Sequence, residues 1–176
     1  MPKQREERDT VVDRPNRRKS SSKATKAVVV LLLLVSVALM VIVIVGGWGK
    51  LQGAKPVAIA YVVVYLVIAF YVARWNRGAL PLAAALAILL GIFAAVSGPA
   101  WFQRDKTGFS TPETIFGGAG LDSSLLGLVT MLMIPVQVLL IGFAMQGFRQ
   151  GWNVEVEVDR DEYDRRAYGG ARPATA

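Results

Sequence analysis

Four stretches of this chain, residues 27–49, 56–73, 78–103 and 123–148, contain no Asp, Glu, Lys or Arg. At 1.5 Å per helical residue each is long enough to cross about 30 Å of hydrocarbon, and each is overwhelmingly apolar. In lipid such runs satisfy their own backbone amides as helices. The expected fold is therefore an all-α membrane protein, a four-transmembrane-helix bundle with a disordered N-terminal tail and a short polar C-terminal tail. Residues 1–26 form the basic tail, 27–148 the transmembrane domain and 149–176 a mixed-charge tail. Within the domain the spans are expected at 27–45, 57–73, 80–96 and 124–147, with an outer loop at 98–122. The polar opening and the apolar run after it are both too long for a cleavable secretory signal, so the first span is expected to be retained.

Lys and Arg are unevenly placed around these spans. Nine precede the first, two lie between the second and third and five follow the fourth, whereas the other two connections hold two each. Sixteen against four sets an orientation with both termini cytoplasmic in a plasma membrane, and an even number of spans puts the two ends on one side independently. The net charge of +7 is thereby explained by topology. No nucleic-acid partner is expected, because the cations are not gathered on a folded basic face. Arg17, Arg18, Lys19, Lys23 and Lys26 are close enough to the first span to touch anionic lipid, and phosphorylation of Ser20, Ser21 or Ser22 would weaken that contact. Trp48 and Trp101 fall at the outer span ends and Trp75 and Trp152 at the inner ones. All four are expected as interface anchors in an aromatic belt.

The spans differ in what they can pack. The first is Val- and Leu-rich with only Ser36 as a polar interruption, which suits a peripheral helix facing lipid. The second carries Tyr61, Tyr65, Ala69 and Ala73 at a spacing of four, one stripe that turns from aromatic to small. In the third, Ala83, Ala87, Gly91 and Ala95 form a small-residue groove that lets another helix approach closely, either within the chain or in a homo-oligomer or membrane-protein partner. The fourth holds the polar core, Thr130, Pro135 and Gln137. Pro135 removes the amide that would bond the Met131 carbonyl, so a kink is expected there. Gln137 must turn inward and find a partner, because an unpaired amide is costly in hydrocarbon.

Outside the spans, Thr111, Pro112 and Glu113 read as the start of a short helix in the outer loop, ended by Gly117, Gly118 and Gly120, and Asp122 reads as the cap of span four. Residues 154–158 alternate apolar and acidic with period two, a strand pattern. A solvated extended tail is the favoured reading, since no other segment looks able to pair with it.

Chemistry is narrowed by what is missing. The chain has no Cys and no His. Thiolate metal sites, disulfides, histidine axial ligands and the commonest general base are thus outside its means. The Gly46–Lys50 run lacks the first Gly and the final Ser or Thr of a phosphate loop, and Asp159, Asp161 and Asp164 lack the Gly and Glu of a calcium loop. With no charged group inside any span, ion-coupled transport and nucleophilic catalysis are disfavoured. No catalytic residue, cofactor or metal is expected. What remains is a non-catalytic accessory or scaffolding protein of the membrane. The alternative is a small channel or permease with a neutral path along span four, lined by Tyr61, Tyr65, Thr130 and Gln137.

Overall fold

The computed structural model describes residues 10–106 and 108–168. Strand β1 (Thr10–Asp13) leads through a short helix α1 (Pro15–Arg18) into α2 (Ser20–Gly46), and two 3-10 turns carry the chain into α3 (Lys55–Ala73). Helices α4 (Ala79–Gln103) and α5 (Ser123–Arg149), strand β2 (Val156–Asp159) and helix α6 (Arg160–Tyr168) complete it. Helices α2 to α5 are each long and apolar enough to cross a membrane. Their outward faces are apolar too, with Leu31, Val63, Phe70, Ile88, Leu128 and Val138 all exposed. A surface of that kind belongs in hydrocarbon and not in water.

The tightest seam lies between the antiparallel helices α4 and α5. A Cβ added at Gly98 would sit 2.5 Å from the Met131 sulfur, one at Gly147 3.2 Å from Leu80, and one at Gly91 3.7 Å from the Gln137 Cβ. Ala83, Ala84, Ala87 and Ala94 are buried along the same seam. Small residues bring the two backbones together, and dispersion contacts replace the hydrophobic effect that lipid does not supply. The groove is thus filled by the chain's own α5. Ala95, expected as its last member, is exposed, and Ala94 and Gly98 take its place. The reason is helical drift: three steps of four residues rotate a position about 120° off the starting face, whereas eleven residues return it to within about 20°.

Helix α2 is not peripheral. It packs against both α3 and α5 and buries Val29, Leu33, Ser36, Met40 and Ile44. The outlying helix is α3, whose only buried residues are Tyr65, Ile68, Ala69 and Val72. A run made almost entirely of Val and Leu looks alike from every side, so its composition carried no sign of which face would be covered.

Three further expectations are corrected. The tail is folded from Thr10 onward: β1 pairs antiparallel with β2, Val11 opposite Val158 and Asp13 opposite Val156, so residues 154–158 are not a lone solvated tail. Residues 1–9 and 169–176 of the two tails lie outside the described residues. Helix α4 runs on through Pro99 to Gln103, seven residues past the expected end. Thr111–Glu113 starts no helix. Glu113 instead bridges Ala119 around a turn in which the Thr114 amide donates to the Gly118 carbonyl, with Gly117 and Gly118 both at φ 84°. Helix α5 is continuous through Pro135, whose side chain is exposed, and Asp122 caps it by accepting from the amides of Ser124 and Leu125.

Candidate functional site

At mid-depth the bundle contains one chain of polar side chains. The Tyr65 hydroxyl donates to Oε1 of Gln137 at 2.9 Å, and Nε2 of Gln137 donates to the Ser36 hydroxyl at 2.9 Å. Ser36 in turn donates to the Leu32 carbonyl of its own helix at 2.8 Å. Three helices are thereby tied at one level. Gln137 is 1% exposed and Tyr65 and Ser36 0%. In such surroundings each bond is strengthened by the low dielectric, and each missing partner would be costly. The arrangement fixes the rotation of α2, α3 and α5 about their axes, because only one setting of each lets all three groups meet.

Thr130 stands apart from this chain. Its hydroxyl donates to the Leu126 carbonyl one turn back, at 2.7 Å. Pro135 faces outward. Of the three residues expected to form a polar core, Gln137 alone reaches the interior network; its partners are Tyr65, read in the sequence only as a lining residue of the alternative path, and Ser36, read only as the polar interruption of the first span. A usable signal was present in the spacing: each lies near the middle of its own charge-free run, hence at one depth.

The second constellation lies at the end of the bundle where both tails emerge. Arg17 donates to the Trp152 carbonyl at 3.0 Å, Asn16 to the Gly151 carbonyl at 3.0 Å, and Arg14 pairs with Glu155 at 2.5 Å. The nearly buried Asp13 is met by Arg18 at 3.1 Å. Burial lowers the pKa of the Arg17 guanidinium, Arg14 beside it acts in the same direction and Glu155 opposes them. Below this ribbon, cations close the negative ends of two helices: Lys26 donates to the Ala73 carbonyl at 3.3 Å and Arg77 to the Phe148 carbonyl at 2.8 Å. Positive charge at this end therefore complements helix dipoles.

No family model, curated protein or solved structure matches the chain.

The four tryptophans stand at helix ends but divide in role. Trp152 is fully buried, its ring 5.3 Å from that of Trp75, its indole donating to Gln150 at 3.0 Å and its edge close over Gly147. Trp101 is 4% exposed and packs against Gly47 and Leu126. Trp152 is an interior wedge enclosed by protein and Trp101 is buried between helices, so neither is the lipid-boundary anchor expected. Trp48 and Trp75 keep partial exposure, under Lys55 at 4.5 Å and Lys26 at 4.2 Å respectively. Trp75 also holds φ at 65°. It closes α3 in the position where glycine is usual, with its own amide on the Val72 carbonyl and that of Asn76 on Tyr71. The cost of about 1–2 kcal/mol is offset by the ring contacts that this conformation makes.

Proposed function

We propose that this chain is a non-catalytic accessory or scaffolding component of a plasma membrane, with both termini cytoplasmic, which holds a membrane-protein partner at the cap formed by its two ends. The observation that carries the reading is the β1–β2 ribbon: two segments about 145 residues apart in sequence are joined into one small platform and fastened to the bundle by Arg17 and Asn16. A two-stranded ribbon leaves an open edge on each side, and strand addition is a recognised way to take a partner. The polar groups at the centre of the bundle are spent on one another, which supports a structural and not a chemical interior. With the α4 groove already filled from within, a homo-oligomer or partner contact falls to the cap and the outward faces. Exposed Lys19 and Lys23 at the start of α2 are the cations placed to meet anionic headgroups.

The test is purification of the full chain from native membranes in a mild detergent, beside an Arg14→Glu/Arg17→Glu variant. A protein co-purifying with the first and lost from the second supports the reading. A lone monomer in both overturns it. Solute flux in liposomes that Gln137→Leu abolishes would replace the scaffold with a small channel or permease.

A further inference from the structure

An apolar cleft of about 590 Å³ lies between α3 and α4, with Met40, Val43 and Ile44 of α2 also in its lining. Thr130 and Met133 of α5 form its floor, and Tyr61, Leu90, Phe93 and Trp101 its inner walls. Two of its outer wall residues, Val57 and Val96, are 49% and 72% exposed. The cleft therefore opens sideways, toward the hydrocarbon. The Thr130 hydroxyl is committed to the Leu126 carbonyl and that of Ser97 to the Phe93 carbonyl, both at 2.7 Å, so the lining is apolar apart from the Tyr61 phenol. Only an apolar guest suits such a lining.

The rim is different. Leu51, Ala54 and Trp101 line the cleft; Lys50 and Lys55 adjoin the first two in sequence, and Arg104 lies three residues beyond Trp101. Arg104 stacks 5.0 Å over the Trp101 ring and donates to the Lys50 carbonyl at 3.4 Å. Among the described residues no carboxylate forms a salt bridge with any of the three. Asp105 is occupied with the Ser124 hydroxyl and Asp122 with the first turn of α5, while Glu113, whose carbonyl accepts from the Gly49 amide, brings one carboxylate to the same end. This end of the bundle carries only four cations in all. Three of them adjoin lining residues of the cleft, with the Lys50 ammonium 2.7 Å from the Ser110 hydroxyl and the Lys55 ammonium 4.5 Å over the Trp48 ring, on the side that topology leaves poor in positive charge, so orientation does not account for them.

We propose that the α3–α4 cleft binds an acyl chain of an anionic phospholipid whose phosphate is held at the rim by Lys50, Lys55 and Arg104. The lengths agree: from Leu90 to Trp101 the wall rises about 16 Å, roughly half of a 30 Å hydrocarbon core and so the depth of one leaflet. The charges agree as well, since each cation at a membrane surface favours an anionic headgroup. The inference is independent of the cap, because lipid can occupy the cleft whether or not a partner is held at the other end.

The full chain, purified in mild detergent, is titrated with phosphatidylglycerol or with phosphatidylcholine of the same acyl chains, and bound lipid is counted by native mass spectrometry. Phosphatidylglycerol is expected to bind about tenfold more tightly or better. Lys50→Gln/Lys55→Gln/Arg104→Gln, which removes no buried group, should bring it down to the level of phosphatidylcholine. Ala54→Trp, at an exposed rim position, should lower both, with circular dichroism and unfolding temperature unchanged. Equal binding of the two lipids by the unaltered chain, or no loss in either variant, overturns the proposal. A high yield of disulfide-linked dimer from Val96→Cys in native membranes, where the chain has no other cysteine, would place a second copy in the cleft and overturn it too.

Discussion

At the scale of single residues, the fold depends on groups whose partners lie far away in sequence. Tyr65 and Gln137 should be energetically coupled through their hydrogen bond. In a double-mutant cycle with Tyr65→Phe and Gln137→Leu, unfolding in detergent should show about 0.6 to 1.7 kcal/mol of coupling, the range found for interhelical bonds in membranes. Additive effects would mean that the bond does not form. Trp75 offers a second test, because its positive φ penalises any side chain while its ring repays that penalty. Trp75→Ala should be less stable than Trp75→Gly by about 1 kcal/mol, since both lose the ring but only alanine keeps the backbone cost. An alanine variant as stable as the glycine one would contradict the left-handed helix end. Gln137 was legible as a residue in need of a partner. Which partner it takes was not, because hydrogen bonding follows the relative rotation of three helices and each span encodes only its own.

At the scale of elements, the α4–α5 seam makes opposed demands on glycines that look alike in sequence. Gly147 lies between Trp152 and Leu80, both fully buried, and an added Cβ would come within 3.0 Å of the indole. Gly147→Ala should therefore cost about 1–3 kcal/mol in unfolding experiments. Gly91 has ordinary contact distance to Gln137, so Gly91→Ala should be neutral or stabilising by up to about 1 kcal/mol, the helix-propensity difference. The reverse order would show that the seam is set in another register. The existence of four helices was readable from charge-free runs because hydrocarbon imposes one length and one hydrogen-bonding solution. Their ends were less so: α2 and α4 each extend by about two turns beyond the expected spans, since a helix already nucleated continues into polar residues and through Pro99 without further nucleation cost.

At the scale of the whole molecule, the two chain ends meet. Val11 and Val158 are register partners, and facing residues in an antiparallel ribbon are close enough for a disulfide. Val11→Cys/Val158→Cys should oxidise to an intramolecular bridge in the folded protein. Bridges found only between chains would separate the ribbon from the single-chain fold. The orientation is tested by an impermeant thiol reagent applied from outside intact cells. Single cysteines in place of Lys55 or Lys106 should react and those in place of Ser20 or Asn153 should not, with the opposite pattern reversing the topology.

The order of four apolar helices, their even number and the bias of positive charge are local or additive properties, so the amino-acid sequence by itself determined them. The burial of Trp101 and Trp152, the outlying place of α3, the Tyr65–Gln137–Ser36 chain and the β1–β2 ribbon were decided only by tertiary structure. Each of these depends on which faces of neutral, uniformly apolar helices turn toward one another, and in lipid that choice is made by small residues and a few polar contacts across the bundle, not by a contrast between oily and wet sides of any one helix.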